Sequence, residues 1–285
     1  MNRRSLFLFA AWGVMLALQP SSAVIFYGTA DPAHNTTAPT GPLAESGWQY
    51  QGKWGSGVGT AIAPQFFISA RHLGGSVGES FVLDGVSYKA VASYEDPESD
   101  LKIWKIEGTF PAYAALYEGS DEPGKQIVVF GRGRQRGDGV FNGNLRGWRW
   151  GDSDGIMRWG TNVVTGIVDG GPLYGRALLG ADFDARAGGD ESTVAEGDSG
   201  GGGFILEGGV WKLAGVISWV DGPYSKTVNG RDAFPAAMFD ETGYYYDSLS
   251  SNGKVTEPGR GPGSFFLSRI SSRLDWIRGI LIRRE

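Results

Sequence analysis

Apolar and polar positions alternate over short stretches along most of this chain, and a longer period governs only its two ends. The stretch "VGTAIAPQFFISARH" carries a β-rich run, a Pro turn and a second run that ends at His72. In "ESFVLDGVSYKAVASY", Phe81-Val82-Leu83 and Val86-Ser87-Tyr88 flank Asp84-Gly85, a dipeptide that favours a tight hairpin. "SDLKIWKI" reads as a half-buried strand. Residues 107–126, rich in Pro, Gly, Ala and Glu, read as a linker. A second set follows: "QIVVFGRG", "GIMRWGTNVVTGIV", "GGFIL", "WKLAGVISWV" and "GSFFLSRI". Residues 221–260, with clustered Pro, Asn, Gly and Tyr, read as a long surface insertion. After Ser271 or Ser272 as N-cap, "RLDWIRGILIRRE" places Leu274, Ile277 and Leu281 on one face of a terminal amphipathic helix.

The pattern therefore predicts two strand-rich halves, 24–120 and 121–270, closed by a helix over 271–285. Composition agrees with an all-β chain. Glycine reaches 47 of 285 residues, more than twice the usual ~7%, and is spread among Val, Ile, Phe, Tyr and Trp as tight turns between strands require.

The first residues follow another rule. Asn2, Arg3 and Arg4 make a basic head, Leu6 to Leu18 is apolar apart from Gly13, and Ser21 and Ala23 are small. That is the pattern of a secretory signal peptide over 1–23, cut after Ala23. The alternative is an uncleaved anchor, for which the run is short, since a span needs ~20 residues. The expected location is secreted or periplasmic, with no stable membrane insertion. A formal charge of −5 argues against a general affinity for nucleic acid. The absence of cysteine excludes disulfides, a cysteine nucleophile and a thiolate metal site. No cofactor or metal is called for, and nothing in the pattern speaks to oligomeric state.

Candidate chemistry centres on "EGDSGGGGF", Glu196 to Phe204, where one aspartate and one serine sit inside a glycine run. Such a run is either a flexible linker or a loop whose backbone approaches a reacting atom. There are two histidines, His34 in a polar turn-like stretch and His72 at a strand end beside glycines. Gly197-Asp198-Ser199-Gly200-Gly201 fits G-x-S-x-G, but the α/β-hydrolase order needs a histidine after the serine, and none follows residue 72. The order His72, an aspartate, Ser199 remains. Asp100 fits the aspartate best, and Asp96 is its rival.

These blocks resemble chymotrypsin-like serine proteases. "GTAIAPQFFISARHLGG" resembles the histidine-bearing strands, "SDLKIWKI" the aspartate strand, "EGDSGG" the nucleophile loop, "AGVISWV" the cleft-lining strand, and "GPGSFFLSRISSRLDWIRGIL" the last strand and helix. The resemblance implies two antiparallel β-barrels with a C-terminal α-helix, and a secreted endopeptidase acting on protein or peptide substrates. It implies Ser199 as nucleophile, His72 as base, Asp100 as its orienting carboxylate, and the N–H groups of Gly197 and Ser199 as oxyanion hole. Ser218 would support Asp100. The primary pocket would have Thr193 as its uncharged floor and Ser218, Trp219, Val220 and Gly263 as walls, favouring small or medium apolar residues. Asp198 would pair with a new α-ammonium at Val24, made by leader removal itself, or else with an internal Arg. The sequence departs from the family at Arg71, Leu73 and Gly202, none of which removes a catalytic atom. The alternative to an endopeptidase is a catalytically silent binding protein on the same fold; a further one is an esterase-like or highly restricted peptidase.

Three weaker signals read as non-catalytic. "GRGRQRG" at 131–137 reads as a solvated loop, "GDSDG" at 151–155 as a turn, and Tyr244-Tyr245-Tyr246 as an aromatic patch that is either buried or binds a partner.

Overall fold

Short alternating strands cannot bury both faces alone, and here they close on themselves. The computed structural model describes residues 23–282. Apart from Ala23, the leader expected over 1–23 lies outside them. The first barrel consists of β1 (Gln51–Trp54), β2 (Gly57–Ala63), β3 (Phe66–Ala70), β4 (Ser80–Leu83), β5 (Val86–Glu95) and β6 (Leu101–Ile106). They pair antiparallel in the order β1-β2-β3-β6-β5-β4, and Lys53 opposite Val82 closes the ring. Its interior is aromatic: Phe67 stacks on Phe81 at 4.2 Å, and Trp54 meets Trp104 at 4.5 Å. Asp84 and Gly85 both take positive φ, 48° and 75°, as the hairpin predicted at that dipeptide requires.

The second barrel comprises β7 (Gln126–Gly131), β8 (Arg158–Val168), β9 (Leu178–Asp182), β10 (Gly202–Glu207), β11 (Val210–Val220) and β12 (Ser264–Arg269). The order β10-β7-β8-β9-β12-β11 closes through β10 and β11. Ile127, Val129, Val164, Leu179, Ile205 and Leu267 fill it. A third core joins the barrels, with Ile68 and Ile103 of the first against Phe130, Phe204 and Val216 of the second. The C-terminal helix, Leu274–Leu281, seals this seam with Ile277 and Ile280.

Several boundaries differ from the sequence reading. Ile25–Phe26 pairs with Ser192–Thr193, so the first residues of the described chain lie on the second barrel and not the first. The supposed linker contains Ala115–Leu116, which runs parallel to Lys212–Leu213 on β11. Neither serine caps the terminal helix: Ser271 Oγ donates to Glu122, and Ser272 Oγ to the Arg269 carbonyl. The helix buries Ile277 and Ile280, while Leu274 and Leu281 pack at its margin.

The stretch 131–137 is no solvated loop. It leads into the strand Arg136–Asn142, which pairs with Asn144–Trp150, and the latter accepts Ala236–Met238 from the insertion. Arg136 lies on the Trp148 ring at 3.6 Å and donates to the Tyr27 carbonyl at 3.1 Å. The tyrosine patch is internal: Tyr244 is buried, and Tyr246 stacks on buried Tyr224 at 5.9 Å. "GDSDG" is a turn whose Asp154 pairs with the buried Arg158.

Candidate active site

β3 runs directly into a short 3-10 turn, Arg71–Leu73, and so delivers His72 at the barrel's edge. Asp100 immediately precedes the partner strand β6, where Ala70 faces Leu101. Strand pairing alone therefore sets these two side chains together. Asp100 is buried, and its Oδ1 accepts from the His72 backbone N–H at 2.9 Å. Its Oδ2 lies 2.6 Å from His72 Nδ1. A carboxylate only accepts, so Nδ1 carries the proton and Nε2 is left as the acceptor. His72 Nε2 lies 2.9 Å from Ser199 Oγ, which comes from the loop between the two-residue strand Ser192–Thr193 and β10.

Asp96, the rival aspartate, does other work. It is fully buried, and Arg273 grips both its oxygens at 2.6 Å. This ion pair ties the entry to the C-terminal helix to the loop that carries Asp100.

The loop that carries Ser199 explains its glycines. Gly197 has φ +94° and lies against Gly133, where a Cβ would meet the Gly133 Cα at 2.7 Å. Gly200 has φ +81°, and a Cβ there would collide with the Val58 carbonyl and Ser69 Oγ. The turn thus holds conformations that L side chains rarely adopt. Among the described residues, neither the Gly197 nor the Ser199 N–H donates a hydrogen bond. Two donors on one turn, beside the serine hydroxyl, are open to an incoming oxygen.

Asp198 braces the turn from inside. It is fully buried and accepts from the N–H groups of Gly133 at 2.7 Å and Ala195 at 2.8 Å. The backbone N–H groups of Val24 and Arg132 also favour its charged form, while burial pushes its carboxyl up to about 7. Val24 itself is fully buried and holds φ 57°, an unfavourable value for a β-branched residue.

Beside Ser199 lies a cleft of 270 Å³ lined by Trp150, Tyr174, Val194, Ala195, Trp219 and Val220, among others. Tyr174 packs on Trp219 at 4.9 Å. Burial, with the charges of Asp100 and Asp247, pushes the Tyr174 hydroxyl up to about 12. Glu196, at the rim, is exposed and paired with Arg134 at 2.6 Å.

Ser218 lines the cleft as expected, but its expected contact with Asp100 is not made, and Thr193 and Gly263 lie outside the cleft. Ser218 Oγ donates to the Val216 carbonyl and meets Ser268 Oγ at 2.8 Å, and it does not reach Asp100. A register shift between Ile217 and Trp219 against β12 accompanies this placement. Thr193 is buried in its pairing with Ile25 and does not line the cleft. Gly263 is likewise outside it, covered by Tyr224 and Glu241 of the insertion. Sequence reasoning missed Trp150 and Tyr174, which arrive from an unanticipated hairpin and from the short helix Gly171–Tyr174. Their only sequence signal is aromatic character among polar neighbours.

Buried carboxyls elsewhere in the second half give a pH prediction. Asp221 is pushed up to about 7, and Glu191 and Glu241 to about 8, each chiefly by burial. The folded chain keeps protons that the unfolded chain releases near pH 4, so stability is greatest at the acid side of this window. It falls as pH rises from about 4 to about 8 and levels off above. Thermal midpoints at constant ionic strength should drop by roughly 5 °C or more between pH 5 and pH 8.5. A midpoint that rises over this interval contradicts the assignment.

Among the described residues, no cluster of three or more His, Asp or Glu is arranged to hold a metal ion, and no helix is long and apolar enough to cross a membrane. No model of a known protein family matches this chain, and no curated protein matches it.

Proposed function

We propose that this chain is an exported serine endopeptidase related to the chymotrypsin-like enzymes. One observation carries the reading: His72 stands between buried Asp100 and Ser199 Oγ, beside two N–H groups that donate no hydrogen bond among the described residues. The two closed barrels, and five sequence blocks in the family's order, support the kinship.

In this reading Ser199 Oγ attacks the scissile carbonyl carbon as its proton passes to His72 Nε2. The N–H groups of Gly197 and Ser199 receive the developing oxyanion. The imidazolium, stabilised by Asp100, then protonates the leaving amine, and the C–N bond breaks to give an acyl-enzyme. Water, deprotonated by the same imidazole, releases the acid and restores Ser199.

Val24 fits the activation step. With the leader removed after Ala23, its N–H becomes an ammonium held against the Asp198 carboxyl, and its φ ceases to be constrained. Export to a secreted or periplasmic location then produces the working oxyanion turn. Buried Arg–carboxylate pairing, the other partner considered for Asp198, has no support, since backbone N–H groups surround it.

Val194, Ala195 and Val220 make the cleft beside Ser199 narrow and apolar, which favours cleavage after small or medium apolar residues. Digestion of a peptide mixture, with the new termini identified by mass spectrometry, checks this. Internal cuts after Ala, Val or Leu are expected. Cuts confined to Lys and Arg would overturn the pocket assignment, and binding of peptides without any cleavage would favour a silent binding protein.

A further inference from the structure

A second concavity, 750 Å³ in volume, lies between the barrels and shares no lining residue with the cleft at Ser199. Its walls include Trp48, Lys53, Val86, Tyr88, Arg132 and Ile156. Its size and mixed apolar and polar lining are those of a ligand site. Val86 and Ile156 remain 53% and 47% exposed on its rim and give it an apolar edge.

The charges in it are uneven. Arg132 is half-buried, and its guanidinium makes no hydrogen bond or ion pair among the described residues. The nearest opposing charge, Asp154, is already held by Arg158 through both oxygens, at 3.1 and 2.8 Å. Lys53 adds a second cation on the β1 wall. The one carboxylate in the lining, Asp84, stands exposed at the hairpin tip. In a chain of net charge −5, a partly desolvated arginine whose N–H groups bond no carboxylate can donate to an external anion.

The groove is wired to the nucleophile turn. Arg132 is followed by Gly133, whose N–H bonds Asp198, and then by Arg134, whose N–H bonds the Glu196 carbonyl at 2.8 Å. From Lys53, β1 leads to the Gly55–Ser56 turn, and the Ser56 carbonyl lies 3.6 Å from the Cβ position of Gly197. Both walls of the groove thus end at the turn that carries Ser199, outside the cleft at Trp219 and Val220 that the endopeptidase reading gives to the acyl part of a substrate.

We propose that this groove binds an acidic, aromatic-containing segment of the substrate on the leaving-group side, with Arg132 taking a side-chain carboxylate and Trp48 and Tyr88 flanking an aromatic residue. The assignment to substrate rests on the endopeptidase reading, but binding is measured without hydrolysis. The probe is a fluorescein-labelled, C-terminally amidated peptide, Ala-Phe-Asp-Asp-Leu-Gly, with its Asn-Asn isostere as control. Fluorescence anisotropy at low ionic strength is read on the Ser199→Ala chain. The acidic peptide should bind about tenfold more tightly than the isostere. Arg132→Gln should abolish that preference, while Arg132→Lys should keep part of it. Ile156→Asp, at an exposed rim position, should reverse it without touching the interior. Equal affinity for both peptides, or a preference that survives both Arg132→Gln and Ile156→Asp, would overturn the proposal. Loss of the preference alone leaves Ser199 reactivity, and with it the endopeptidase reading, intact.

Discussion

Replacing His72 by alanine is expected to lower kcat/KM by about four orders of magnitude or more, with little change in KM. Among the described residues the hydroxyl of Ser199 has one proton acceptor in reach, His72 Nε2 at 2.9 Å. Without it the nucleophile must ionise unaided, and the leaving amine finds no acid. Asp100→Asn should cost about as much, roughly 10⁴-fold, for a different reason. An amide at position 100 can donate to Nδ1, which moves the ring proton to Nε2 and removes the acceptor Ser199 needs. Because His72 is part-exposed, its replacement should leave the thermal midpoint nearly unchanged. Progress curves with a peptide ester, for the three chains at equal concentration, check both. A His72→Ala chain that retains a tenth of the activity would remove His72 from the mechanism.

One extra residue before Val24 is expected to reduce kcat/KM by about 10²-fold, the order of a lost oxyanion donor. A chain beginning at Val24 presents an ammonium to Asp198, which is otherwise buried among neutral N–H groups and pushed up to about 7. The charged pair fixes Asp198, and through it the adjoining N–H groups of Gly197 and Ser199. With an alanine in front, the ammonium moves away and the φ 57° conformation at Val24 must again be held. Two preparations that differ only in that residue, compared on one substrate, give the answer. Equal activity would separate leader removal from activation. Asp198→Asn in the Val24 chain should reproduce the loss.

The sequence carried the parts of this account that depend on local rules. Asp84-Gly85 made a tight turn because both residues accept positive φ. Short alternating runs made barrels because closure buries one face of each strand and leaves no open sheet edge. The site was legible wherever residue type and chain order restrict chemistry: two histidines, one of them ahead of a glycine-locked serine, leave few ways to build a nucleophile. What failed depended on side-chain direction and on packing between distant segments. Ser218 was expected to meet Asp100, and a register shift in β11 accompanies its turn to Ser268 instead. Gly263 was expected as a wall of the primary pocket, and Tyr224 and Glu241 of the insertion stand against it. Arg136 looked solvated because its partners, Trp148 and the Phe26–Tyr27 backbone, are remote in sequence. The same remoteness concealed Trp150 and Tyr174.

The most direct test is the reactivity of Ser199. The chain beginning at Val24 is treated with a fluorophosphonate at pH 8, and its intact mass is read beside that of Ser199→Ala. The account predicts a single phosphonyl adduct, mapped to Ser199 and absent from the variant. A folded chain that takes up no adduct, or one whose adduct persists in Ser199→Ala, would contradict an activated serine at this site.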